Sequence, residues 1–334
     1  AYAIMPSLVG SEMCIRDSMY AELHCHSNFS FQEGASSVED LLVRAHDIEL
    51  SALALTDHDN LCGAMHFAQV AKTVGIKAIT GAELSIKEWD IGKGDPVSNS
   101  NSHLTFLAEN QEGYSHLSNL ISYSYVAGER NNPALDLKYL PDGVDGLILL
   151  TGCRTGRVPR LLMEGRFAEA EIQLRQYLDW FGMENVFVEL QQNLVQGDTR
   201  RNRRLVDLAN KLGADVVATN NVHYHIQERH RLQDALVAIS HNKSLEETHR
   251  ERRPNRHFYL KSPAEMVDLF DGCPEAIENT LRIAERCGGF NLTRDLGYHF
   301  PDYAAPQGHT PQVTFPAHAS ADFSLRLGAW LRIC

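Results

Sequence analysis

Short runs of consecutive apolar residues alternate along the chain with stretches whose apolar positions recur every three to four residues. The runs Tyr20–Cys25, Ala52–Thr56, Ile76–Thr80, Leu104–Ala108, Gly146–Thr151, Val186–Leu190 and Asp215–Thr219 read as strands. After the first comes a helix whose Val38, Leu41, Leu42, Ala45 and Ile48 share one face, with Ser37 as its N-cap. Comparable helices are predicted at roughly 62–74, 112–123, 166–182, 199–212 and 228–240. Seven strands with helices between them predict an α/β fold, a parallel β/α barrel over residues 19–256. From residue 257 the pattern changes. Ser262-Pro263-Ala264-Glu265 combines an N-cap, a first-turn proline and a capping glutamate, and a second helix is predicted over 274–287. Residues 257–311 are therefore expected to form a small helical segment leaving the barrel.

Neither end follows this pattern. Residues 1–18, AYAIMPSLVGSEMCIRDS, lack both a helical or strand period and the build of a signal peptide. They resemble translated adapter sequence, so Met19 is expected to be the natural start and 1–18 a disordered leader. Residues 312–334 are expected to be an aberrant or truncated tail.

At 334 residues, 43% hydrophobic and 22% charged, the chain is ordinary for a globular protein with a large core. No run of 18 apolar residues occurs, so no membrane span is expected. Seven cysteines without paired spacing point to a reducing compartment and a cytoplasmic location. The net charge of −12 disfavours generic DNA binding, which relies on Lys and Arg. Residues 196–260 depart from this, with twelve Lys+Arg against eight Asp+Glu. That reads as a solvated helix face, an interface, or a DNA contact.

The sixteen histidines matter more for where some of them fall. Catalytic groups of β/α barrels sit after the carboxyl ends of strands. The first strand ends in Glu22-Leu23-His24-Cys25-His26, where alternation points His24 and His26 to one face. The second ends in Thr56-Asp57-His58-Asp59 and the third in Gly81-Ala82-Glu83. The fifth runs into Cys153, and the seventh into Asn220-Asn221-Val222-His223. Imidazoles, carboxylates and a thiol at five strand ends predict a metal site. Gly152–Gly156 lacks the Gly-Lys-Ser/Thr ending of a phosphate loop, and no Cys-x-x-Cys pair supports a zinc ribbon.

The segments HCHSNFSFQEGAS, LALTDHDNLCGAMHF, GIKAITGAELSI, HLTFLAENQEGYSHLSNLIS, LILLTGCRTG and VVATNNVHYH together resemble the PHP (polymerase and histidinol phosphatase) domain. The resemblance covers residues 19–311 and is strongest to the amino-terminal domain of bacterial DNA polymerase III alpha-type subunits. HYHIQERHRLQDALVAI and Asn221 bring it nearest the error-prone members.

It implies a distorted seven-stranded, TIM-like barrel holding up to three divalent ions, zinc, manganese or magnesium. The implied ligands are His24, His26, Glu33, His58, Glu83, His103, Cys153, Asn221 and His223, with Asp57 behind them. Glu33 and Asn221 stand where the family pattern has Asp, and the neutral Asn221 implies fewer ions. His103 begins its strand, so spacing alone does not select it. The implied chemistry is phosphoester hydrolysis, either as a 3′–5′ exonuclease or in a decayed form. The implied partners are DNA, a polymerase palm following residue 311 and accessory damage-tolerance proteins. A free-standing phosphatase of histidinol-phosphatase type and a purely structural module are the alternatives.

Overall fold

The computed structural model describes residues 20–89, 96–127, 132–141 and 143–297. The expected leader 1–18 and tail 312–334 lie outside them, as does the end of the helical segment at 298–311. The described residues up to Leu296 belong to one compact unit.

Six strands form one sheet in sequence order: β1 (Ala52–Leu55), β2 (Lys77–Trp89), β3 (Pro96–Ala108), β4 (Leu147–Leu150), β5 (Val186–Gln191) and β6 (Asp215–Thr219). The helices are α1 (Val38–Asp47), α2 (Ala64–Val74), α3 (Gln111–Ala127), α4 (Arg157–Met163), α5 (Phe167–Phe181), α6 (Asp198–Leu212), α7 (His230–Ser240), α8 (Pro263–Leu269), α9 (Pro274–Cys287) and α10 (Leu292–Asp295). Helix α4 was not expected from the apolar pattern.

Two expectations about the sheet need correction. The first is that all strands run parallel. β1 and β2 are parallel, as are β4, β5 and β6, but β3 is antiparallel to both of its neighbours. Only residues 90–95 separate β2 from β3, too few for the crossover that parallel pairing needs.

The second concerns the strand count: among the described residues the sheet has six strands. The expected strand at Tyr20–Cys25 makes only single bridges, Glu22 to Leu53 and Cys25 to Val222. Its backbone bonds go both ways, from Ala54 N to Glu22 O and from Val222 N to His24 O. Side chains take the amides a ladder would use: His24 N donates to Glu22 Oε1 (2.9 Å) and Cys25 N to Thr56 Oγ1 (2.9 Å). The segment is thus tied to β1 and to the residues after β6 without becoming a strand.

Alternation within the strands builds two packed layers. Ala52, Ala54, Ile79, Leu107, Ile148, Leu150, Phe187 and Val217 form one cluster with Ala21 and Leu23, joined by Ile283, Ala284 and Cys287 of α9. Leu53, Leu55, Leu149, Val188 and Ala218 pack on the other side with Leu41, Leu42 and Phe67 of α1 and α2. Ser37 closes a capping box with Asp40 at the start of α1, and Ser262 closes one with Glu265 at the start of α8.

Candidate metal centre

Glu83 lies within β2 rather than at its end, and it is buried. Four imidazoles surround its carboxylate. His24 Nε2 is 3.4 Å and His103 Nδ1 3.3 Å from Oε1, while His26 Nε2 is 3.5 Å and His58 Nε2 3.7 Å from Oε2. Two residues apart on an extended segment, His24 and His26 approach from one side. His58 follows β1 and bridges to Glu83. His103 pairs with Ser85 in the β2–β3 ladder. Because β3 runs backwards, its beginning lies at the end of the sheet where the parallel strands finish. His103 lies inside β3 rather than at its beginning as expected, and the reversed direction of β3 lets it join residues that follow their strands.

Two three-residue donor sets result, His24–His26–Glu83 and His58–Glu83–His103, with Glu83 common to both. His24 Nε2, His26 Nε2 and Glu83 Oε1 are buried and make no hydrogen bond. Leaving such atoms unpaired costs about 1–3 kcal/mol each, so their convergence on one point favours an occupant. In tetrahedral coordination with bonds of 2.0–2.1 Å, ligand atoms sit about 3.4 Å apart. The separations around Glu83 match this spacing, and the donors suit a divalent cation.

The far sides of the rings are anchored. His24 Nδ1 lies 2.6 Å from Glu189 Oε1, which also accepts from Thr219 Oγ1 and Gln191 Nε2. His58 Nδ1 lies 2.6 Å from Asp59 Oδ2, and Ser85 N and Oγ hold that carboxylate. His26 Nδ1 meets Ser30 Oγ at 3.1 Å, and this hydroxyl donates to Asp57 Oδ1 at 2.7 Å. Such contacts fix which nitrogen faces the centre. Asp57 is thus linked to the His26 ring through Ser30. Glu189 and Ser30 are not marked by the strand-end pattern, whereas Asp59 stands in the second strand-end motif; a lone acid in the apolar run Val186–Leu190 is the available signal for Glu189.

The remaining expected ligands stand further out. Cys153 Sγ is 3.7 Å from His103 Nδ1 and 2.9 Å from Thr155 Oγ1. Gly152 brings this loop in: at φ +90°, a Cβ there would lie 2.0 Å from His103 O. Glu33, half-buried, shares a cleft of about 360 Å³ with Glu83, His103, Cys153 and Asn221. Asn221 Oδ1 accepts from His223 Nε2 at 2.9 Å, and the His223 ring stacks on His26 with centroids 4.6 Å apart. None of these four residues belongs to either donor set among the described residues.

Burial opposes ionisation of Glu83, but His103 and His24 hold its carboxyl well below the usual carboxylate range. Burial likewise works against a charged His24, which Glu189 and Glu83 nonetheless push well above the ordinary imidazole value. Burial pushes His26 and His223 well below it. Burial also opposes charge on His103 and His58, yet Glu83 pushes the first well above the ordinary value and Asp59 raises the second. The centre thus joins an anionic carboxylate to a neutral His26 and to three rings, His24, His58 and His103, that hold their protons firmly, so a divalent cation would displace protons as it binds.

Residues 22–193 match the family model described as PHP domain. The chain belongs to the PHP domain family. Over 297 residues this PHP chain is 42% identical to the "Error-prone DNA polymerase" of Cutibacterium acnes, covering 87% of this chain and 26% of that protein. It is 40% identical over 270 residues to the "DNA polymerase III subunit alpha" of Treponema pallidum, covering 80% and 23%. The chain thus spans about a quarter of the length of these curated relatives. A solved putative metal-dependent phosphoesterase from Bifidobacterium adolescentis aligns over 61% of this chain and 87% of its own, at 13% identity and a TM-score of 0.42. Among the described residues, no helix is long and apolar enough to cross a membrane.

Proposed function

We propose that this PHP domain binds divalent cations between Glu83 and its four imidazoles and hydrolyses phosphodiester bonds of DNA as part of an error-prone DNA polymerase. The observation that carries this reading is the shared carboxylate, with an imidazole near 3.3–3.7 Å on each side of both oxygens and buried donor atoms left unpaired. A bound divalent ion would supply hydroxide near neutral pH and offset phosphate charge. Glu83 holds the negative charge between cations, while Glu189, Asp59 and Ser30 keep the rings aimed. His103 and His58, at 25% and 15% exposure, sit nearest the solvent and would meet the substrate.

In this reading the fold is a distorted seven-stranded barrel over 19–256, the segment at 20–26 supplying the seventh position. Residues 257–311 lead to a polymerase palm in cis, and the setting is cytoplasmic, with DNA and damage-tolerance proteins as partners. Glu33, Cys153, Asn221 and His223 complete an outer part of the site for zinc, manganese or magnesium. The hydrogen bond from His223 to Asn221 occupies a nitrogen that a third ion would need, favouring fewer than three ions and slow turnover. That same bond favours a second reading, a decayed site kept for structure.

Manganese-dependent cleavage of single-stranded DNA by the full chain separates the two. Slow cleavage is expected, falling at least about 100-fold in Glu83→Gln. Cleavage that survives Glu83→Gln would exclude this centre. No cleavage by a metal-loaded wild type would leave the structural reading.

A further inference from the structure

Beside the metal cleft lies a second cavity of about 470 Å³, and the two share Gln233, Arg252, Arg253 and Pro254 as a common wall. The second cavity is bounded by the loop 249–257, HRERRPNRH, which carries four arginines against one glutamate in a chain of net charge −12. Its lining includes Arg252, Arg253, Arg256, His230, His249 and His257. Glu251, the one acid of the loop, is engaged by Lys243 at 2.6 Å. Asp234, the one carboxylate of the lining, pairs with Arg252 Nη1 at 2.9 Å. Arg252 Nε is buried and lacks an acceptor. Arg253 lays its guanidinium over Phe258 and brings Nη2 to 3.4 Å from His223 Nδ1. Among the described residues, no carboxylate pairs with Arg250, Arg253 or Arg256.

Guanidinium groups that outnumber the carboxylates beside them, with a buried N–H lacking its acceptor, form a receptor for an anion, and their planar forks suit phosphate oxygens. We propose that the cavity bounded by the 249–257 loop is a second phosphate subsite, taking the backbone phosphate next to the one that divalent ions would hold beside Glu83. Arg253, on the wall common to both spaces, orients the chain between them. The site would then select polynucleotides, which fill both positions, over phosphomonoesters, which fill one. The identity of the second phosphate rests on the phosphodiesterase reading, whereas the binding site itself can be tested without turnover.

The probe is fluorescein-labelled decathymidylate with phosphorothioate linkages, which keep the backbone charge and resist hydrolysis. Its binding to the manganese-loaded full chain is followed by fluorescence anisotropy across a salt series. Arg256 is exposed, lines the second cavity and not the metal cleft, so Arg256→Gln should leave the fold and the metal site intact. It is expected to weaken binding about fivefold and lower the salt slope by about 0.7, one phosphate contact on a single strand, with Arg256→Lys restoring most of both. Arg203→Gln, at an exposed arginine of α6, should stay within about twofold of wild type. Unchanged affinity and slope in Arg256→Gln would overturn the proposal, and so would an equal loss in Arg203→Gln, which would mean diffuse attraction. Displacement of the probe by equimolar inorganic phosphate would assign the cavity to free phosphate and overturn the polynucleotide role. Absence of hydrolysis on ordinary DNA would count against the phosphodiesterase reading while leaving these binding outcomes readable.

Discussion

Glu83 faces an unfavourable environment for a carboxylate, since burial alone would drive it towards the neutral acid. His103 and His24 reverse that preference, and the price is a set of imidazole nitrogens with no hydrogen-bonding partner. Asn221 is the residue where the balance of charge is weakest. Its backbone sits at φ +50°, a conformation Asn and Asp both tolerate, so Asn221→Asp should introduce charge without strain. The added anion lies in the same cleft as Glu83 and His103. Manganese affinity is expected to rise about tenfold, measured by competition with a chelating dye. Equal affinity in the two forms would place Asn221 outside the ions' reach.

The elements show why some of this centre was readable from the sequence and some was not. His24, His26 and His58 follow short apolar runs, and local alternation is enough to bring the first two together. The helix after the first motif was equally legible, because Ser37 and four buried apolar residues state its start and its face. His103 was not, because its place depends on the reversal of β3, which comes from the brevity of the 90–95 connection rather than from its own neighbours. Glu83 was found as a residue ending a strand, yet β2 runs six residues beyond it to Trp89. The anchors behind the rings were hidden for another reason. Glu189 meets His24 across 165 residues of sequence, and no local period records such a contact. The segment at Tyr20–Cys25 reads as a ladder strand because periodicity detects apolar alternation but not the diversion of amides to Glu22 and Thr56 side chains.

At the scale of the whole molecule, the closing helices are integrated with the sheet, and α9 places Ile283, Ala284 and Cys287 in the same cluster as Leu23 and Phe187. Lys261, just before α8, is 3% exposed and donates to Asn220 Oδ1 at 2.6 Å and to His257 O. Burial lowers its ammonium from the ordinary 10.5 to about 8, against the pull of Glu22 and Glu265. Between these values the unfolded chain binds the proton and the folded one does not, so the contribution of Lys261 to stability should rise with pH from about 8. An opposite contribution sets in from about pH 9, because burial pushes the thiols of Cys273 and Cys287 up to about 11 and about 12, and it continues above pH 10 with Tyr224 and Tyr259, pushed up to about 12. In urea denaturation Lys261→Met should therefore lose about 2 kcal/mol more than wild type between pH 8 and 10, because the gain that Lys261 supplies is absent from the variant. A Lys261→Met protein whose stability changes with pH as that of wild type does would assign the gain to another group.

The centre itself is tested most directly by anomalous diffraction from crystals of the full chain grown with manganese. The arrangement of donors predicts density on both sides of the Glu83 carboxylate, one peak within about 2.0–2.3 Å of His24 and His26 nitrogens and another similarly close to His58 and His103. Manganese bound only elsewhere, with Glu83 and its four rings left as they are, would contradict it.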